Sequence, residues 1–226
     1  MSMEQLTKKL DGPEKALASL GLGIKNKGKG AGGKNTTLHG GQYEKITSIE
    51  KYLGENGFEK KSFSNSKDYY YEKINDSYKY VYVTQWGLKS YMEEFYKWSA
   101  LRKPDEAFIT IDLKNEKNNK IKILEKKFQS VEGSVDTKLW AANYIKGEYQ
   151  MYYQDKFIVD YAFSLSAYLE NKMKSKSEKW IILNKLFKRD NIQTFYFNSD
   201  PDYITNVFNW GFNPEKTNKQ TKKNKT

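Results

Sequence analysis

The chain has no cysteine, a single histidine (His39), only two arginines (Arg102 and Arg189) and four prolines in 226 residues. Without cysteine there is no disulfide framework, no thiol nucleophile and no thiolate zinc site, and His39 alone cannot build a two-histidine metal centre. A zinc hydrolase is thereby excluded. No apolar run approaches the roughly 20 residues that a membrane span needs, and Met1 to Leu10 is too polar for a signal peptide. The sequence therefore predicts no membrane partner and a reducing, cytoplasmic location.

What is present is charge of one sign. Thirty-nine basic against 28 acidic side chains give a net charge of +11 and a pI near 9.3. Such an excess speaks to partners rather than to fold, and the first partner to consider for a polycation is nucleic acid. The charge is carried almost wholly by lysine. Arginine is the usual reader of guanine, whereas Asn and Gln suit adenine, so the composition points towards an A:T-rich target. At 38% hydrophobic and 15% aromatic residues the chain can bury a core, and its length is that of one domain.

Along the chain, Met1 to Leu20 reads as a short polar helix broken at Asp11-Gly12-Pro13. Residues 21–41 form a glycine- and lysine-rich segment without hydrophobic periodicity, read as a loop. Four lysines (Lys25, Lys27, Lys29, Lys34) and no acid fall within it. Part of it, Gly28 to Lys34, satisfies G-x-G-x-x-G and nearly a P-loop. Asn35 stands where a P-loop needs Ser or Thr, and no apolar strand precedes the first glycine, so no nucleotide cofactor is expected.

Tyr43 to Leu53 has helical spacing, with Glu44 in its first turn. Lys67 to Thr84 alternates as two strands joined near Asn75-Asp76, and Leu88 to Trp98 keeps a helical period that ends by Lys103-Pro104. Further on, Asp136 to about Gln154 and Lys179 to Lys188 read as helices, and Phe157 to Ser166 and Thr194 to Asn198 as strands. The order predicts an α/β fold with a mixed sheet. Residues 1–212 are read as a single domain. Residues 213–226, with five lysines and one acid, are read as a basic tail.

Asp105 to Leu113 and Lys120 to Gln129 alternate around a turn at Asn115 to Asn119, which predicts a β-hairpin. Odd-numbered positions share a face, so Asp105, Glu125 and Lys127 converge at one hairpin end if residue 105 pairs with residue 127. Two carboxylates and an amine around one point suit phosphodiester hydrolysis. The acids supply hard oxygen ligands for Mg²⁺, which keeps several waters, and the lysine supplies a cation near the attacking water. As a string the pattern is weak, because acid-x-Lys occurs five times and Pro-Asp twice. Only Glu125 directly follows a strand-like Ile-Lys-Ile-Leu run with Pro-Asp one hairpin length upstream. Without that context, a solvated strand end is the more economical account.

Lys103-Pro104-Asp105-Glu106, followed by Ile123-Leu124-Glu125-Lys126-Lys127-Phe128-Gln129, resembles the PD-(D/E)xK nuclease signature of type II restriction endonucleases. The stretch Val131 to Asp136 is similar too, as are Gly30 to Thr37 and Gly41-Gln42-Tyr43-Glu44 upstream. Together these cover roughly half of the chain. The resemblance implies a restriction-endonuclease-like core, a central mixed sheet flanked by helices, Mg²⁺ as cofactor and a homodimer on double-stranded DNA. It further implies cleavage leaving 5′-phosphate and 3′-hydroxyl ends at a palindromic site. Lys34 and Thr37 depart from the uncharged small residue and the Asn expected at those positions.

By that resemblance Asp105 and Glu125 hold the catalytic Mg²⁺, Lys127 orients water and offsets developing charge, and Glu44 completes the metal shell or holds a second ion. A carboxylate favoured by a helix dipole is an equally good account of Glu44. DNA contacts are expected from Lys29, Lys34, Asn35, Thr36, Thr37, His39 and Gln129, against the alternatives of an ordinary loop and a polar strand end. Two other readings stay open: a noncatalytic nucleic-acid-binding protein, and a nonspecific or repair nuclease with the same core.

Overall fold

The structure, a computed structural model, describes residues 34–130 and 132–212, with the backbone alone for 34–38. Seven strands form one mixed sheet: β1 (Glu59–Ser62), β2 (Tyr69–Ile74), β3 (Tyr78–Thr84), β4 (Glu106–Asp112), β5 (Lys120–Lys127), β6 (Ile158–Leu165) and β7 (Ile192–Tyr196). Their spatial order is their chain order. The first five form an antiparallel meander, and β5, β6 and β7 run parallel.

Parallel neighbours require crossovers. These are α4 (Val135–Trp140) with α5 (Ala142–Tyr153), and α6 (Ala167–Met173) with α7 (Glu178–Arg189). Together with α3 (Trp86–Tyr91) they cover one face, burying Val81, Ile109, Ile123, Phe163, Leu139 and Leu183 in a single core. On the opposite face, Tyr82, Phe108, Leu124 and Phe195 pack against Leu53 of α2 (Glu50–Glu55) and Val207 of α8 (Tyr203–Phe212). The central strands β4, β5 and β6 thus have both faces largely buried, which is why β4 reads as a nearly continuous apolar run. Gly211 permits the close approach of α8, because a Cβ there would lie 2.2 Å from the Phe108 ring.

The expected α/β class and mixed sheet are present, and several local expectations are corrected. Residues 34–41 are not a loop but the start of α1 (Lys34–Ile46), and residues 21–33 lie outside the described residues. The expected helix over Tyr43 to Leu53 is two helices. The Thr47 hydroxyl donates back to the Tyr43 carbonyl at 2.6 Å, and the Glu50 amide donates to the Ser48 hydroxyl at 3.3 Å, closing one helix and opening the next.

The helix over Leu88 to Trp98 ends early. It widens into a π-turn over Met92–Tyr96, and Lys97 adopts a left-handed conformation with φ of 61°. Asp136 to Gln154 breaks at Ala141 between α4 and α5. The elements β1, α6 and α8 carry no expectation from the sequence.

Candidate active site

The β4–β5 hairpin carries the residues singled out in the sequence. Its register pairs Glu106 with Leu124 and Thr110 with Lys120, centring the turn on residue 115. The expected pairing of 105 with 127 is therefore off by two positions, and 105 stands across from 125. The cause is turn chemistry. The Asp112 carboxylate accepts the amides of Lys114 and Asn115 and the side-chain amide of Asn118, and Asn119 Oδ1 accepts the Asp112 amide. A shift of two preserves the faces, since side chains alternate with period two.

Asp105, Glu125 and Lys127 come together at the open end of this hairpin. Lys127 Nζ donates to Glu125 Oε2 at 2.5 Å and to Asp105 Oδ2 at 3.4 Å. Asp105 Oδ2 also accepts the Lys126 backbone amide at 2.6 Å, which fixes the carboxylate against the strand. The three side chains keep 17%, 18% and 17% of their surface for Asp105, Glu125 and Lys127, so a solute can reach them. Beneath them, burial and the Glu125 charge hold the phenols of Tyr149 and Tyr161 far above their ordinary range.

The adjacent residues on the opposite face form a second acid–lysine pair. Lys126 Nζ meets Glu106 Oε1 at 2.5 Å, each side chain only 2% exposed. Lys126 Nζ also donates to the Glu44 backbone carbonyl at 3.1 Å, tying α1 to β5.

Glu44 lies in the last turn of α1, not in the first turn of a helix as expected. A carboxylate there opposes the helix dipole, so the dipole does not account for it. Its side chain accepts from Gln85 Nε2 at 3.1 Å. Burial, and then the charge of Asp105, push its carboxyl above the usual range. Among the described residues no three or more His, Cys, Asp or Glu side chains are already gathered as a metal cluster, and Glu44 reaches the pair through the field of Asp105.

Burial likewise raises the Glu125 carboxyl, aided by Asp105 and opposed by Lys127. Lys127 responds the other way. Burial works against its ammonium, but Glu125 and Asp105 outweigh it, and its affinity for the proton rises. Burial also raises the Glu106 carboxyl against the pull of Lys126. The cluster is thus short of positive charge on its open side, where Lys127 stands against two acids.

The remaining expected contacts divide. Lys29 lies outside the described residues, and Lys34, Asn35, Thr36 and Thr37 fall in the first turns of α1, where only the backbone is described. His39 lies beside Phe128, ring centroids 6.0 Å apart, immediately beyond the β4–β5 hairpin. Gln129 follows the end of β5, and its backbone amide and carbonyl both engage the Ser166 hydroxyl, at 3.2 and 2.8 Å.

Three residues at this end of the molecule have no signal in the sequence. Gln85 holds Glu44 from a strained corner with φ of 36° and ψ of −108°, and Ser166 clasps the extension of β5. Ser164 Oγ bridges the hydroxyls of Tyr43 and Tyr203 at 2.9 and 2.7 Å, locking α1 to β6 and α8. Each acts across more than 35 positions of chain, beyond the reach of any local pattern. No protein-family model, curated protein or solved structure matches the chain.

Proposed function

We propose that this chain is a Mg²⁺-dependent endonuclease with a PD-(D/E)xK core, hydrolysing phosphodiester bonds in double-stranded DNA. The observation that carries the reading is the meeting of Asp105, Glu125 and Lys127 at one solvent-accessible point. The mixed sheet with helices on both faces is compatible with it. Sequence specificity, a palindromic A:T-rich site, a homodimer and 5′-phosphate ends rest on the motif resemblance and composition.

The donor set fits the ion. Mg²⁺ takes hard oxygen ligands, is satisfied by one or two carboxylates and retains waters. Asp105 and Glu125 both reach a single ammonium, so both can share a single cation, with Glu44 at the edge of the same field. Bound there, Mg²⁺ would act as a Lewis acid on a phosphoryl oxygen and make its water more acidic. With a cation between the carboxylates, Lys127 would be free to orient the attacking water and to donate to the non-bridging oxygens, where negative charge grows as the 3′ oxygen leaves. The proton lost by the water goes to solvent, and the 3′ oxygen takes one from it. Lys126 holds the Glu44 segment and Glu106 from behind without facing the solvent side.

A second reading has one observation in its favour. Lys127 already bridges both acids, as in a salt-bridged hairpin end of a noncatalytic binder. Digestion of long AT-rich DNA with Mg²⁺ or with EDTA, by the native chain and by Lys127→Ala, separates the two. Discrete fragments that need Mg²⁺ and Lys127 support the restriction-type nuclease, and smeared digestion supports a nonspecific one. Binding without cutting across several metals leaves the binder.

A further inference from the structure

Trp86 stands at the corner between β3 and α3 with half of its surface exposed, which is unusual for the largest apolar side chain in a fold that has cores on both sheet faces. Its ring is not idle. Lys103 Nζ sits over it at 2.8 Å from the centroid, and Lys89 Nζ lies 5.7 Å away. Lys103 is exposed, and among the described residues no carboxylate pairs with it. Lys89 also reaches Glu93 at 3.5 Å.

The corner is built rather than incidental. Gln85, immediately before Trp86, has φ of 36° and ψ of −108°, a strained conformation for a residue with a side chain. Two contacts hold it: its amide donates to the Pro104 carbonyl at 3.0 Å, and its side chain donates to Glu44. Gly87 lets α3 close on β2, since a Cβ there would lie 3.3 Å from the Tyr69 carbonyl. The same short span therefore fixes Trp86, Lys103 two residues before Asp105, and the carboxylate of Glu44.

We propose that Trp86 and Lys103 form a contact platform for double-stranded DNA beside the reactive centre. The inference rests on the nuclease reading for the choice of duplex DNA. In the free protein the Lys103 ammonium rests on the indole, a cation–π contact that stores the charge without a carboxylate. When a DNA strand enters, Lys103 moves to a backbone phosphate next to the scissile one. The indole face it leaves then packs against the apolar face of a deoxyribose, since the base faces of a duplex are covered by their neighbours. An aromatic face contributes by apolar contact and a lysine by counterion release, so the two residues have different signatures in salt.

The test measures binding of a short fluorescent AT-rich duplex by anisotropy, with Mg²⁺, in the full chain carrying Lys127→Ala so that binding is read without cleavage. Into this background go Trp86→Ala, Trp86→Phe and Lys103→Gln, each with its circular dichroism and thermal midpoint checked against the parent. Trp86→Ala is expected to weaken binding about tenfold with an unchanged salt slope, and Trp86→Phe to recover most of it, the scale of covering part of an aromatic side chain. Lys103→Gln is expected to weaken binding and to lower the salt slope by about one. Folded Trp86→Ala and Lys103→Gln variants that bind as the parent does overturn the proposal, as does a parent that binds no duplex. Cleavage by the chain with Lys127 intact judges the nuclease reading separately. Cutting with a dispensable Trp86 sinks only the platform, and binding through Trp86 without cutting sinks only the nuclease.

Discussion

Lys126 and Lys127 are consecutive, both are paired with a glutamate at 2.5 Å, and they have opposite circumstances. The pleat sends Lys126 to the face closed by α1 and Lys127 to the hairpin's open end. Lys126 and Glu106 are sealed, and the contact they extend is to a backbone carbonyl. Lys127 and Glu125 keep some contact with solvent and share a second acid, Asp105. The same pair of side chains is a fastener in one setting and, in the function proposed above, a reagent in the other, and access to solutes separates them.

Removing each lysine in turn breaks the comparison most sharply. Lys127→Ala is expected to lower DNA cleavage by about a thousandfold, the scale of losing one charge-stabilising group, while the thermal midpoint stays near that of the parent. Comparable cleavage by the variant would make Lys127 a surface residue. Lys126→Ala is expected to act on stability, because it leaves Glu106 buried and unpaired, at a cost of about 3–5 kcal/mol in denaturant unfolding. The double variant Lys126→Met with Glu106→Leu should regain that stability and continue to cleave. A double variant that is stable and inert would show that the sealed pair takes part in the chemistry.

Smaller effects sharpen the role of the third acid. Glu44→Gln should raise the Mg²⁺ concentration for half-maximal cleavage about tenfold, the usual scale for a group that supports metal ligands. An unchanged Mg²⁺ dependence would return Glu44 to an ordinary helix-end residue. The pH dependence follows from the raised Glu125 and Glu44 carboxyls. Both gain protons as pH falls at values above the ordinary carboxylate range near ~4.3. Cleavage at low Mg²⁺ should therefore decline from a higher pH than such a carboxylate would give, and saturating Mg²⁺ should move the decline to lower pH. The smallest effect is that of Gln85→Gly, which relieves the left-handed corner. It is expected to raise stability by about 1 kcal/mol while increasing the Mg²⁺ requirement as Glu44→Gln does.

Legibility in the sequence followed chain distance. The β4–β5 hairpin and the convergence of Asp105, Glu125 and Lys127 were readable because alternation, Pro104 and the asparagine-rich turn are local signals. The register was missed by two, since the Asp112 and Asn119 side chains, not the strand pattern, fix the turn. The start of α1 was misread because Gly40 and Gly41 lower helix propensity. Its docking depends on Tyr43 reaching Ser164, 121 positions away. Gln85 illustrates the limit: nothing around Gln85-Trp86-Gly87 announces that a side chain there will hold an acid from another element.

The sequential order of the strands has a bearing on how the molecule is made. Each strand pairs with its predecessor, so the sheet can lengthen in step with synthesis and pays little loop-closure entropy at each addition. Asp105 and Glu125 are brought together by one hairpin, whereas α1 finds its lock only when Ser164 of β6 and Tyr203 of α8 are in place. The expectation is an order of assembly in which the carboxylate pair forms early and Glu44 is secured last. In pulse-labelling hydrogen exchange during refolding, amides of β4 and β5 should gain protection before those of α1, and simultaneous protection would refute that order.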